Sequence, residues 1–266
     1  MSKYKILITN DDGIDSPGLA AVIQAVNPLA ELLIVAPLVQ QTAMGRAQRG
    51  NATTGLMKRI LHVDGRDFEA FACDAAPARV VNHALSVFPG YRPDLVISGI
   101  NYGENLGASV TSSGTVGAAI EGACRGIPSI AVSLETQVDT HFVYSEQDWG
   151  TSKHFLKYFT ERTLQHGFPA GVDVLKIDVP STAAPDCPWR TTRLSKSLYY
   201  RQDIPEPSVT SLLGDVIVSK ETCAEEPTDT DVYALAIDRV VSVTPMTIDL
   251  TARNIAQVLR GWGERG

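Results

Sequence analysis

The stretch 5–18, which reads KILITNDDGIDSPG, constrains the fold of this 266-residue chain more than any other. A continuous β-prone run, residues 6–9, leads directly into Asn10, Asp11, Asp12 and a glycine. Such a run predicts a strand that is buried on both faces, as in a parallel sheet. The two aspartates then lie just past the carboxyl end of the first strand, which is the edge where open α/β sheets bind ligands.

The aspartate pair is open to two interpretations. Adjacent carboxylates repel each other unless a cation or a proton lies between them, so the pair predicts a hard divalent metal ion. Alternatively, Asp11 and Asp12 belong to an Asx-type turn that caps the following helix, because Asp and Gly are ordinary turn residues. This stretch alone does not decide between the two.

Strand and helix patterns alternate along the first 180 residues, which predicts an α/β fold with a parallel sheet and right-handed crossovers. A hairpin around Asp64 and Gly65 interrupts the alternation. The predicted strands are residues 6–9, 32–36, 60–63, 68–72, 94–100, 129–133 and 172–179, and the predicted helices are residues 17–26, 76–87, 116–123 and about 152–165.

The pattern changes after residue 180, where prolines and short β-prone pieces predict an extended appendage. We therefore divide the chain into a core, 1–180, and a C-terminal β-rich extension, 181–266. The extension is predicted to hold strands within 211–219 and at 240–245 and a final helix at about 254–262. Its aromatic residues either pack an arm between subunits or cover their own domain, and the pattern leaves both possibilities open.

Composition excludes several classes of protein. The formal net charge is −7 and no dense Lys/Arg patch occurs, which argues against a partner such as duplex nucleic acid. The four widely spaced cysteines include no CxxC pair and favour reduced thiols in a cytoplasm. We expect no signal peptide and no membrane association, because no apolar run reaches spanning length. The composition does not exclude a small anionic substrate, since a metal ion and backbone amides can supply local positive potential.

Polar side chains follow three of the predicted strands. Asp11 and Asp12 follow the first, Thr42 follows the second, and Asn101 ends the strand at 94–100. In a parallel sheet these ends share one edge, so the side chains can converge. Two carboxylates, a hydroxyl and an amide oxygen are hard donors that suit Mg²⁺, Mn²⁺ or Ca²⁺ and do not suit Zn²⁺.

The turn Ser112-Ser113-Gly114-Thr115 precedes a predicted helix and forms a candidate anion site, because free backbone N–H groups at a helix start bind anions. An ordinary helix cap is the alternative. A metal site and an anion site on one sheet edge indicate phosphoryl chemistry. The chain has no GxxxxGK[ST] and no GxGxxG after its first strand, which argues against a P-loop NTPase and a dinucleotide oxidoreductase.

Five ordered blocks resemble the SurE survival-protein family of 5'/3'-nucleotidases. They read ILITNDDGIDSPGL, VAPLVQQTAMGRAQ, DLVISGINYGENLG, SSGTVGAAIEGACRGIPSIAVS and VVSVTPMTIDLT. The resemblance implies a Rossmann-like core with helices on both faces and an extension that joins subunits into a homodimer or homotetramer. It implies hydrolysis of nucleoside monophosphates and of short polyphosphate. It also implies one divalent metal ion per subunit, for which Mg²⁺ or Mn²⁺ is expected in preference to Ca²⁺.

The resemblance also implies residue roles. It places the metal on Asp11, Asp12, Asn101 and Thr42, where the family has a serine; Ala43 replaces the usual glycine after that serine. The implied phosphate-binding residues are Asn10, Asn105, Ser112, Ser113, Gly114 and Thr115. The implied catalytic residues are Asp11, Asp12 and Asn105. Residues 74–78 depart from the family's Gly-Thr-Pro block.

The resulting hypothesis is in-line attack of an activated water on phosphorus, with either aspartate as proton acceptor. Two alternatives remain at this point. One is a phosphatase that forms an aspartyl phosphate, although that chemistry calls for Asp-x-Asp where this chain has Asp-Asp-Gly. The other is a metal- or nucleotide-binding sensor that has lost turnover, which the changes at Thr42 and Ala43 keep open.

Overall fold

The computed structural model describes residues 4–252 and is built on a nine-stranded sheet with a separate two-stranded ribbon. The strands are β1 (Tyr4–Thr9), β2 (Ala30–Pro37), β3 (Met57–Val63), β4 (Arg66–Cys73), β5 (Leu95–Tyr102), β6 (Ser129–Leu134), β7 (Val174–Val179), β8 (Trp189–Thr191), β9 (Tyr200–Asp203), β10 (Ile217–Lys220) and β11 (Val241–Met246). The helices are α1 (Pro17–Val26), α2 (Pro77–Val87), α3 (Gly114–Cys124) and α4 (Gly150–His166).

The sheet order is β3-β4-β2-β1-β5-β6-β7-β11-β8, and the strands from β4 to β7 run parallel. β3 and β11 are antiparallel to their neighbours β4 and β7. The chain moves from β1 outward to β2 and later returns to the other side of β1 with β5. This reversal of strand order creates a crevice outside the carboxyl ends of β1 and β5, where open α/β sheets bind ligands.

Helices cover both faces of the sheet, and the alternation along β1 shows why. Ile6 and Ile8 pack into the apolar cluster that includes α1 and α4, whereas Leu7 points into the cluster that includes α2. Successive strand side chains point to opposite faces, so a strand covered on both sides must be apolar at every position. The Rossmann-like α/β fold is therefore confirmed.

The predicted hairpin is also confirmed as β3 and β4. Asp64 and Gly65 occupy its turn with φ values of 50° and 70°. Two central residues with positive φ are typical of the tight turns that match strand twist, which explains the Asp-Gly pair.

The residues beyond 180 contribute to two structures. β8 and β11 extend the main sheet, whereas β9 and β10 form the two-stranded ribbon, hereafter the ribbon. The proposed boundary at 180 falls directly after β7, but residues on both sides of it share one sheet. The strand expected within 211–219 is shorter than predicted: it covers only Ile217–Lys220, and a 3₁₀ turn, Leu213–Asp215, precedes it. The helix predicted at 254–262 lies outside the described residues.

Candidate active site

The aspartate pair lies in a turn that a neighbouring residue builds. The Asn10 side chain donates to the carbonyl of Gly13 at 2.9 Å and accepts from its N–H at 3.1 Å. Ser16, not an aspartate, caps α1 by accepting from the N–H of Gly18. The Asx turn and the helix cap are thus made by other residues, which leaves the side chains of Asp11 and Asp12 available to a ligand.

Asp11 faces the start of α3. The Thr115 hydroxyl donates to Asp11 Oδ1, and Ser113 caps the helix by accepting from the N–H of Val116 at 3.1 Å. A Cβ at Gly114 would lie 2.8 Å from Asp11 Oδ2. Glycine at this position therefore lets the helix approach the carboxylate closely.

Asp12 is held from the opposite side. The Tyr102 N–H donates to its Oδ2 at 3.1 Å, and Gln40 Nε2 donates to its Oδ1 at 3.3 Å. The Asp12 carbonyl accepts from the Tyr144 hydroxyl at 2.6 Å. The two donors to the carboxylate, the Tyr102 N–H and the Gln40 amide, are uncharged, so they orient the carboxylate without neutralising it.

The charge of the pair is uncompensated within residues 4–252. Asp11 is 5% exposed and Asp12 is 2% exposed, and no Lys, Arg or His of that range forms an ion pair with either. Burial raises the pKa of Asp11 to about 6. Burial and then the charge of Asp11 raise the pKa of Asp12 well above its usual range. A buried pair of this kind calls for a cation.

The predicted donors at the other two strand ends lie at the same edge. Thr42 and Asn101 line one cavity together with Asp11. Asn101 Nδ2 donates to the Gly103 carbonyl at 2.6 Å, so Oδ1 is the end of the amide that a cation can use. Among the described residues no group of three or more His, Cys, Asp or Glu side chains could hold a metal. Two carboxylates and two neutral oxygens suit Mg²⁺ or Mn²⁺ by donor type.

The loop that carries Thr42 is held by hydrogen bonds on both sides of that residue. The Gln41 N–H donates to the Asp11 carbonyl at 2.7 Å, and the Gly45 N–H donates to the Ser112 carbonyl at 2.8 Å. Between them Ala43 adopts a left-handed φ of 60°. Glycine takes this conformation without strain, whereas a residue with a Cβ does not.

The cavity, hereafter the carboxyl-edge cavity, has a volume of about 520 Å³. Six of the predicted site residues line it: Asp11, Thr42, Asn101, Asn105, Ser112 and Ser113. The remaining four, Asp12, Asn10, Gly114 and Thr115, are buried behind that surface. Asn10 is engaged in its own turn and Thr115 in its bond to Asp11, so the structure gives these two side chains supporting roles rather than direct contact with phosphate.

Asn105 is positioned by residues that no local sequence pattern indicates. Its N–H donates to Asp178 Oδ1 at 2.7 Å, and its Nδ2 donates to Ser133 Oγ at 2.8 Å. Asp178 in turn pairs with the fully buried Lys176, which also lies 3.1 Å from Asp231 Oδ2. Burial raises the pKa of Asp178 to about 6, although Lys176 opposes the shift.

The residues of the cavity wall that were not predicted from the sequence include Glu104, His141 and Tyr200. Glu104 belongs to the polar turn after β5, so its neighbourhood was a usable signal. His141 and Tyr200 come from a loop and from the extension, where no local pattern indicates that they reach the site.

The fold defines a Rossmann-like α/β protein. At the carboxyl edge of its sheet it carries a buried pair of aspartates beside the start of a helix. A family model described as survival protein SurE matches residues 6–201. The chain therefore belongs to the SurE family. Among the residues described, no helix combines the length and apolar character needed to cross a bilayer.

Similar proteins carry the same family name. The chain is 41% identical over 256 residues to the 5'-nucleotidase SurE of Thermococcus kodakarensis, with 94% of each chain covered. It is 38% identical over 259 residues to the 5'-nucleotidase SurE of Methanocella arvoryzae, again with 94% of each covered. The crystal structure of the SurE protein from Aquifex aeolicus matches with a TM-score of 0.74 at 27% identity, covering 97% of this chain and 99% of that one.

Proposed function

We propose that this chain is a divalent-metal-dependent nucleotidase that hydrolyses nucleoside 5'- or 3'-monophosphates to nucleoside and phosphate, and that also accepts short polyphosphate. One observation carries the proposal: two adjacent buried carboxylates have no cationic partner among residues 4–252, and one of them, Asp11, lies beside a helix start in the wall of a cavity of nucleotide size. The relatives named 5'-nucleotidase SurE support the same activity.

One metal ion per subunit, Mg²⁺ or Mn²⁺, would be held by Asp11, Asp12, Thr42 and Asn101. Such an ion, when bound, lowers the pKa of a water and offsets charge on phosphoryl oxygens. The four residues fit such an ion, because a bound cation would offset the electrostatic cost of burying two carboxylates side by side.

The chain's own residues would act on the phosphoryl group as follows. The Ser113 hydroxyl accepts from the Val116 N–H and can donate its own proton to a phosphoryl oxygen at the start of α3, where negative charge is stabilised. Ser112 donates its hydroxyl to the Ser109 carbonyl and forms the adjoining part of the cavity wall. Asn105, fixed by Asp178 and Ser133, offers its amide to a further phosphoryl oxygen. Asp11 or Asp12 accepts the proton of the attacking water.

The two alternatives are not favoured. The family's named relatives are nucleotidases, and the centre lacks the Asp-x-Asp arrangement of aspartyl-phosphate enzymes. The threonine at position 42 keeps a hydroxyl oxygen on the cavity wall, so the change from serine does not remove a donor.

A substrate-by-metal panel tests the proposal. We expect phosphate release from nucleoside monophosphates with Mg²⁺ or Mn²⁺, abolished by chelator, and a loss of at least about 100-fold in Asp11→Asn, as for removal of a group that acts only in the transition state. Thermal unfolding supplies a second readout. Metal should stabilise the wild type, whereas Asp11→Asn should be more stable than the metal-free wild type because one buried charge is gone.

Near-wild-type turnover of a folded Asp11→Asn variant would overturn the metal-site assignment. Tight nucleotide binding without phosphate release under every metal would favour the sensor instead. Incorporation of solvent oxygen directly into phosphate, with no acyl phosphate trapped, is expected for water attack.

We also propose that the extension, 181–266, joins subunits into a homodimer or homotetramer and that the protein acts in the cytoplasm. Exposed apolar side chains on the segment that links the ribbon strands support the first part.

A further inference from the structure

The ribbon presents one face to the carboxyl-edge cavity. In an antiparallel pair, residues directly opposite each other point to the same side of the sheet. Val218 lies opposite Gln202, and Lys220 lies opposite Tyr200. Gln202, Val218 and Tyr200 line the cavity, whereas Ile217, the neighbour of Val218, is 58% exposed and does not.

Two contacts fix this face to the turn after β5. The Tyr200 hydroxyl donates to the Glu104 carbonyl at 3.1 Å. Lys220 Nζ lies 2.7 Å from Glu104 Oε1 and donates to the Thr136 carbonyl at 2.6 Å. Glu104 is only 1% exposed. A buried ion pair is costly to break, so the ribbon is held beside the turn that carries Asn101 and Asn105.

The cavity therefore has two chemically different ends. The acidic end holds Asp11 and the serines at the start of α3. The other end, hereafter the ribbon end, is walled by aliphatic, aromatic and amide side chains, namely Val138, His141, Leu198, Tyr200, Gln202 and Val218.

The ribbon end offers little unpaired charge. The His141 ring packs edge-on against Tyr200, with 5.6 Å between centroids. Burial, followed by the charge of Lys220, lowers the pKa of His141 to about 4, so its imidazole is neutral at neutral pH. Arg201, also on this wall, pairs with Asp203 at 2.7 Å. Apolar and aromatic walls with a few polar groups are typical of sites for flat organic ligands rather than for a second phosphate.

We infer that the ribbon end binds the nucleobase of the substrate, and that the ribbon therefore determines how strongly the enzyme prefers nucleotides over simpler phosphomonoesters. The inference rests on the proposed nucleotidase activity. The cavity volume of about 520 Å³ exceeds what a phosphate alone needs and falls in the range of small-molecule sites.

Two substrates that differ only in the base separate this inference from the proposed function: adenosine 5'-monophosphate and ribose 5-phosphate. Val218→Asp places a charge on the ribbon end, and Ile217→Asp is the matched control on the opposite face of the same strand. We expect Val218→Asp to lower kcat/KM for the nucleotide by about tenfold or more, through KM, and to leave ribose 5-phosphate hydrolysis unchanged. Ile217→Asp should change neither.

Product inhibition gives an independent readout. Adenosine should inhibit ribose 5-phosphate hydrolysis by the wild type and by Ile217→Asp, and should inhibit Val218→Asp about tenfold less strongly. Equal losses on both substrates in Val218→Asp, no loss on either, or the same nucleotide-specific loss in Ile217→Asp would each overturn the inference while leaving the nucleotidase proposal intact. A wild type that hydrolyses neither substrate would overturn the proposed function, and this inference with it.

Discussion

At the scale of single residues, Ala43 adopts a backbone conformation that is costly for a residue with a Cβ. Its φ of 60° places a Cβ-bearing residue in the left-handed region, which costs about 1–2 kcal/mol relative to the right-handed one. The cost is tolerated because hydrogen bonds at Gln41 and Gly45 hold the loop on either side. The strain therefore lies next to Thr42, one of the proposed metal ligands.

We expect Ala43→Gly to raise the free energy of unfolding by up to about 1 kcal/mol. Glycine removes the strain but adds entropy to the unfolded chain, so only part of the gain remains. Urea denaturation measures the change. Ala47→Gly, in the same loop but without a positive φ, is the matched control and should lower stability instead. If both variants lose stability equally, the conformational argument fails.

Residue patterns predicted the acidic end of the site better than the ribbon end. Asp11, Thr42 and Asn101 each follow a strand, and the rule that parallel strands end at one edge brings them together. Tyr200 and His141 obey no such rule. They reach the cavity through the long-range contacts of the ribbon and of a loop, which local sequence does not encode.

At the scale of elements, strands with strong local patterns were predicted and strands made by tertiary pairing were not. β1, β5 and the hairpin β3–β4 carry continuous apolar runs or a turn signal within a few residues. β10 covers only part of the stretch predicted for it, because its partner β9 sets its length through pairing. The strand predicted at 240–245 is confirmed as β11, but its place between β7 and β8, and that of β8 at the edge of the sheet, depend on pairing between distant segments.

One ion pair ties several of these elements together. Glu135, directly after β6, accepts hydrogen bonds from Arg239, which precedes β11, and from Ser181, which follows β7. Burial opposes ionisation, but the bonds from Arg239 and Ser181 outweigh it and hold the pKa of Glu135 below its ordinary value of 4.5. The folded state therefore binds this proton less readily than the unfolded chain.

This difference predicts a pH-dependent stability. A depressed folded pKa contributes stability above about pH 4.5 that is lost as the pH falls through the folded value. We expect Glu135→Gln to lower the free energy of unfolding by about 1–2 kcal/mol at pH 7, and the gap to the wild type to narrow below about pH 4.5. The measurement is denaturant unfolding over a range of about pH 3–8, which covers both the protonated and the ionised carboxyl group.

The control for Glu135 is an exposed glutamate in a weaker pair. Glu161 lies 4.0 Å from Lys157 on α4, and about half of each side chain is in solvent, with 51% of Lys157 and 42% of Glu161 exposed. Glu161→Gln should therefore change stability by less than about 0.5 kcal/mol at any of these pH values. A gap for Glu135→Gln that stays constant with pH would contradict the assigned role of its carboxylate.

At the scale of the whole molecule, the sheet and the extension each form a different part of the site. The reversal of strand order at β1 and β5 supplies the crevice and its acidic end. The extension adds β8 to the sheet, places the ribbon beside the crevice, and returns to the sheet as β11, so both ends of the ribbon segment are anchored. A chain cut at 180 would therefore lose both part of the sheet and one wall of the cavity, so the extension is tested by point substitutions rather than by truncation.

The segment between the ribbon strands carries apolar side chains that its own chain leaves in solvent: Leu213 is 96% exposed and Leu212 is 69% exposed. Exposed apolar groups clustered on a projection are typical of a protein interface. If a second copy of this chain covers them, Leu212→Asp with Leu213→Asp should convert the wild-type oligomer to smaller species in sedimentation. Val87→Asp, an exposed apolar position at the end of α2, should leave the oligomer unchanged. A monomeric wild type, or a double variant that sediments like the wild type, would show that this segment does not join subunits.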